Sequence, residues 1–153
     1  MLTPEEEKSI RDTWALVSPD LKGNGIKFFI HFFTGYPEYQ KLFRGFADVP
    51  LDKLPENKRL QAHAFTVLNA INGLVDNLDD PDVLTELLLK TGRNHARRKL
   101  RRGDFENLKT SLLEFLGKAL KSHWSPEAEN AWTKLLSVMV DKISEGLESP
   151  DDG

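Results

Sequence analysis

The stretch Asp82–His95, DVLTELLLKTGRNH, decides the reading of this 153-residue chain. Leu84, Leu88, Thr91 and His95 follow one another at steps of four, three and four, the spacing of a single helical face. On that face a protonated imidazole is costly, and a neutral one keeps a nitrogen lone pair that wants a proton donor or a metal. The helix therefore predicts a partner for His95 on another element.

Upstream, Pro55 to Asp76 reads as a long amphipathic helix with Leu60, His63, Ala64, Val67, Ala70, Ile71 and Leu74 on one stripe, so a second histidine belongs to an apolar face. Before it, Gly45 to Leu54 has little periodicity, and Phe43 and Phe46 sit at a non-helical corner. Large rings kept in such a corner imply that the loop folds over something or packs into a groove. Leu21 to Thr34 predicts a helix dense in aromatic residues, Phe28, Phe29, Phe32 and Phe33, with Gly35 to end it and Pro37 to start a short one. Most of these phenylalanines read as core. Thr3-Pro4-Glu5-Glu6 is a capping box that opens a first helix burying Ile10, Trp14 and Val17.

Downstream of His95 comes a basic connector, Arg97 to Arg102, after which Asp104 is placed to cap a helix carrying Phe105, Leu108, Leu112, Phe115 and Leu116. Ser125-Pro126-Glu127 starts a last helix with Trp132, Leu135, Val138, Met139, Ile143 and Leu147 inward. No segment reads as a strand pair. The expectation is an all-α fold of six long helices plus one or two short ones, in one domain over residues 1–153 with a polar tail at 148–153.

Composition narrows the function classes. Charged residues are 29% and the formal net charge is −3, which gives no reason to expect nucleic acid as a partner. The absence of cysteine excludes disulfides, thiolate metal sites and cysteine nucleophiles. The N-terminus is acidic without an apolar signal core, and no apolar run approaches the ~20 residues that span a bilayer. A cytoplasmic protein with no membrane partner is expected.

His31 and His123 have ordinary surface readings, leaving His63 and His95. A lone inward histidine is more often a hydrogen-bonded core residue than a ligand. Two such stripes flanking a phenylalanine corner favour a cofactor. Zinc wants at least three protein ligands, and neither stripe offers a third histidine or carboxylate. A haem brings four nitrogens of its own, so one axial histidine in an apolar site suffices.

Phe33-Thr-Gly-Tyr-Pro37-Glu-Tyr-Gln-Lys-Leu-Phe43 resembles the end of the second helix, the short third helix and the haem-stacking phenylalanine of the globin family. His63-Ala-Phe-Thr-Val67-Leu is similar to the distal stretch of its fifth helix. Asn94-His95, with Phe105 ten residues later, resembles its proximal stretch, and Trp14 matches a residue common in the family. The likeness runs from Thr3 to about Leu147; the ending GRNH and Trp132 look closer to nerve-type and invertebrate intracellular globins.

The resemblance implies a globin fold around an iron porphyrin held by His95, with Phe43 on the ring face and His63 on the distal side, as ligand stabiliser or sixth ligand. Val67 would limit the space over the iron, and Phe29 would stand where leucine is more usual, shrinking the pocket and excluding water. Phe46, Leu88, Thr91 and Phe105 complete the expected cofactor wall; Thr91 departs from the usual leucine, with a hydroxyl free to bond a backbone carbonyl. Basic residues from Arg93 to Arg102, with Lys58 or Arg59, are candidate partners for the haem propionates. The run lacks interleaved aromatic residues, so specific nucleic-acid binding is not expected.

The function implied is reversible binding of dioxygen or another small diatomic ligand, for intracellular storage or transport, and not enzymatic turnover. The competitors are a redox or gas sensor in which His63 itself binds iron, and nitric oxide dioxygenase or peroxidase chemistry. The residue one turn past His63 on that side is Thr66 rather than a cation, which speaks against efficient peroxide cleavage. Homodimer formation stays open.

Overall fold

A computed structural model describes residues 2–149. Seven α-helices occur among them: α1 Pro4–Trp14, α2 Leu21–Gly35, α3 Pro37–Gln40, α4 Lys58–Asp76, α5 Pro81–His95, α6 Arg102–Leu120 and α7 Pro126–Glu148. Single 3₁₀ turns lie at Ser18–Asp20, Leu54–Glu56, Ala96–Arg98 and Lys121–His123, and no strand occurs among the described residues. Six long helices and one short one are as the sequence implies; of the tail, residues 150–153 lie outside the described residues.

Local chemistry sets the helix starts. Thr3 Oγ1 accepts from the Glu6 amide while Glu6 accepts from the Thr3 amide, which closes the capping box. Asp20, Asn57, Asp80 and Ser125 each accept from a backbone amide three residues on, satisfying donors a helix start would otherwise leave orphaned. Two starts differ from the sequence reading. Asn57 caps α4, so Pro55 falls in the preceding 3₁₀ turn rather than in the helix. Asp104 is not the cap of α6: it lies inside the first turn and reaches back 2.9 Å to the amide of Arg101, so the helix begins three residues earlier.

The core is aromatic at one end and aliphatic at the other. Phe28, Phe29, Phe32 and Phe33 are all buried on α2, and each such ring stabilises by about 1.5–3 kcal/mol relative to exposure. Trp14 and Trp132 pack 5.7 Å apart and bind α1 to α4 and α7. Their indole N–H groups donate to Asn72 Oδ1 and Thr13 Oγ1, both at 2.8 Å, so neither is stranded. Two expected core positions are not core. Val138 is 38% exposed, and Ala70 is exposed while Leu68 is fully buried. Both corrected residues lie at the edge of their helix's contact surface, where a one-residue rotation decides the outcome.

Two helix crossings are made backbone to backbone. A Cβ added to Gly25 of α2 would stand 2.7 Å from the Ala64 carbonyl oxygen of α4. At the α5–α7 crossing a Cβ on Gly92 would stand 2.2 Å from the Ile143 carbonyl oxygen, and one on Gly146 would stand 2.3 Å from that of Leu89. Backbone cannot yield as a flexible side chain can, so only glycine permits this approach. Gly92→Ala is expected to lower the unfolding free energy by about 1–3 kcal/mol in denaturant titration, as overpacking does. Gly73→Ala in α4 meets nothing within 4 Å and is expected to gain about 0.5–1 kcal/mol from helix propensity alone.

Candidate functional site

Each crossing lies beside a histidine. His63 follows α4 outward from the residue before Ala64, and His95 ends α5 just less than one turn after Gly92. His63 has its protonation driven down to about pH 4, first by burial and then by the positive charge of His95 and Arg98. The two imidazoles are therefore near enough for the charge of one to act on the other, and His63 is neutral at physiological pH.

His95 is held by its own helix. Its Nδ1 lies 2.7 Å from the Thr91 carbonyl oxygen, and a nitrogen facing a carbonyl must carry the proton and donate. Nε2 is then the nitrogen with the free lone pair, and it makes no hydrogen bond among the described residues. The Thr91 hydroxyl donates to the Leu87 carbonyl at 2.9 Å, as its sequence position allows, so its polar atom is satisfied within the helix. An imidazole oriented by a carbonyl at one nitrogen and bare at the other presents the donor atom that an iron would take.

Rings form the walls. The centroids of Phe43 and Phe29 lie 4.8 and 5.1 Å from that of His63, both at 60°. Phe46 stacks on Phe43 at 5.0 Å and packs against Phe33. Phe105 meets His95 edge-on at 6.1 Å, and Leu88 is buried one face-repeat before it. Val67 is partly buried one turn past His63. The ring contacts thus gather Phe29, Phe43 and Phe46 about His63 and set Phe105 against His95, and the charge of His95 is felt at His63. No group of three or more histidine, aspartate or glutamate side chains able to hold a bare metal ion occurs among the described residues. The set suits a cofactor that brings its own equatorial ligands.

Sequence reasoning missed two supports. Gln40, buried at the end of α3, donates through Nε2 to the carbonyls of Phe46 and Val49 at 2.9 and 2.8 Å, and so folds the aromatic corner inward. A lone glutamine at the end of a four-residue helix carries no pattern that marks this. Arg98 was visible only as one cation in a basic run, whereas in the fold its charge is felt by His63. Elsewhere in that run Arg93 is paired with Glu86, and Arg102 with Asp141 and Glu106. Arg97, Arg98, Lys99 and Arg101 make no ion pair among the described residues, and Lys99 turns the chain in a left-handed conformation, φ 59°. Arg59 folds over Gly45, where a Cβ would stand 2.5 Å from its Cδ.

Comparison with known proteins identifies the family. The sequence profile of the family described as Globin matches residues 26–143. The chain is 34% identical to cytoglobin-1 of Danio rerio over 142 residues, covering 90% of this chain and 81% of the relative. It is 29% identical to a globin of Nerita albicilla, covering 93% and 90%. In three dimensions it superposes on a globin of Drosophila melanogaster with a TM-score of 0.87 at 25% identity, covering 94% of each chain. The crystal structure of a hexacoordinated haem protein from an anhydrobiotic tardigrade gives a TM-score of 0.89 at 23% identity over 96% of each chain. No helix is long and apolar enough to cross a membrane among the described residues. The chain belongs to the globin family, whose cofactor is haem.

Proposed function

We propose that this globin binds dioxygen reversibly for storage or transport within a cell, with His95 as axial iron ligand and His63 steadying the bound ligand. The observation that carries the reading is the state of the two imidazoles: His95 offers a bare Nε2, and His63 is neutral opposite it. Bound haem supplies the iron to which a small diatomic ligand binds. Everything else is the work of the chain. The Thr91 carbonyl holds the His95 proton on Nδ1 and keeps the ring from turning. His63, kept uncharged by burial, presents an N–H without bringing a bare positive charge into the pocket. Phe29 and Phe43 flank that N–H and leave little room for competing water. Arg97, Arg98, Lys99 and Arg101, free of internal ion pairs, are the donors we assign to the propionates, since Arg93 and Arg102 are already engaged.

A second reading has His63 as a sixth ligand in a redox or gas sensor. It draws on the same neutral imidazole, which makes no hydrogen bond among the described residues and feels the charge of His95. Nitric oxide dioxygenase turnover needs the same ligand-binding site plus a source of electrons, and is a third use of it. The visible spectrum of purified protein separates the first two: a five-coordinate ferrous form with a stable oxygen complex supports storage, and a six-coordinate one supports sensing. A spectrum without a porphyrin band would dispose of both.

His95→Ala is expected to lose tight haem retention and to recover a ligated spectrum when imidazole is added; unchanged retention would make the assignment wrong. His63→Val is expected to raise the oxygen dissociation rate by about one to two orders of magnitude, the worth of a hydrogen bond of about 1.5–3 kcal/mol, as read by flash photolysis or stopped flow. The low protonation point of His63 also has a sign. Between pH 6.5 and about 4 the unfolded chain takes up a proton that the folded chain refuses, so stability falls as pH drops through that window and is unaffected above it. In haem-free protein the loss is expected to reach about 2 kcal/mol, after allowance for solvent reaching the ring. His63→Leu is expected to flatten that part of the stability curve in denaturant titrations across pH.

A further inference from the structure

The chain has two tyrosines, and one of them is placed in a way that core packing does not require. Tyr39 is buried on α3, and its hydroxyl donates to Asp104 Oδ1 at 2.8 Å while accepting from Asn107 Nδ2 at 2.9 Å. The phenol is thus provided with both a proton acceptor and a donor that holds its oxygen in place. Burial and the neighbouring Asp104 raise its pKa above the ordinary value, so the proton stays on the oxygen at rest.

Two series of aromatic rings run from His63 to this phenol and converge on Phe32. One passes from His63 to Phe29 at 5.1 Å and on to Phe32 at 6.3 Å. The other passes from His63 to Phe43 at 4.8 Å, to Phe33 at 5.7 Å and to Phe32 at 5.8 Å. Phe32 then stacks on Tyr39 with centroids 5.0 Å apart and planes at 14°. Tyr36, less buried, lies 5.7 Å from Tyr39 and 5.8 Å from Phe32. Trp14 and Trp132, by contrast, pack on each other and not on these rings.

We propose that Tyr39 is a proton-coupled electron donor to the pocket, protecting the protein when hydrogen peroxide leaves an oxidising equivalent at the haem. An electron leaving a buried phenol alone would create an unpaired positive charge in apolar surroundings, which is costly. At 2.8 Å the Asp104 carboxylate removes that cost by taking the phenolic proton as the electron leaves, giving a neutral phenoxyl radical hydrogen-bonded to a carboxylic acid. A one-electron reductant of the ascorbate class, acting by way of Tyr36, returns the electron, and Asp104 returns the proton. Reducing one hydrogen peroxide to two waters takes two electrons and two protons, so the relay cycles twice per peroxide, with the reductant and solvent supplying the totals. The proposal rests on the haem reading above.

The test is rapid-freeze electron paramagnetic resonance of ferric holoprotein mixed with hydrogen peroxide. Wild type is expected to give a tyrosyl signal, Tyr39→Phe to lose at least about nine-tenths of it, and Tyr36→Phe to keep it but slow its decay by ascorbate. Phe32→Leu, which interrupts both ring series while leaving the Tyr39–Asp104 bond, is expected to delay the signal. Asp104→Asn is expected to lower its yield and abolish its slowing in deuterated water. Should Tyr39→Phe fail to fold, ring-deuterated tyrosine in the Tyr36→Phe protein leaves Tyr39 as the sole labelled site, and the hyperfine pattern must collapse. A radical on tryptophan, or a signal indifferent to Tyr39 and Asp104, overturns the proposal. Protein without a porphyrin band fails at the earlier reading instead.

Discussion

The arrangement depends on helices that touch through their backbones. Where α2 meets α4 at Gly25 and Ala64, and where α5 meets α7 at Gly92 and Gly146, no side chain separates the chains. Side chains have rotamers and can absorb a shift, whereas a peptide group against a peptide group cannot. Each crossing lies within one turn of a pocket histidine. The helix that carries each histidine is therefore seated on its neighbour by the least compliant contacts in the molecule, and the phenylalanine cluster fills what remains.

Much of this was legible beforehand because it is written in local chemistry. Capping residues announced the starts of α1 and α7, and helical periodicity put both histidines on inward faces. The aromatic density of α2 announced a core. What escaped was decided at a distance. Gly92 and Gly146 look like ordinary helix-weakening glycines until α5 and α7 cross. Val138 and Ala70 sit at the margins of their apolar stripes, where the rotation of a packed helix, not its sequence, settles exposure. Asp104 was read as a cap from its position before an apolar run, yet its second oxygen binds a tyrosine on another helix, and the capping geometry adjusted to serve both.

The pocket also divides its labour by polarity. On the His95 side polar atoms are satisfied inside α5, through the carbonyls of Leu87 and Thr91, so nothing there competes for the bare nitrogen. On the His63 side there are no such partners, only rings and a nearby arginine charge. One imidazole is thereby tied and the other left free to respond to what enters. A fixed donor facing an adaptable one can serve storage, sensing or turnover, which is why the family relationship alone does not choose among them.

Gln40 adds a consequence for assembly. Its two bonds close over chain separations of only six and nine residues, a short loop with a small closure entropy. The aromatic corner can therefore take its final shape during folding without waiting for α4 or α5 to dock. A newly made chain then meets its cofactor with the turn of that corner already formed, and the rings settle when the two histidine helices close against it.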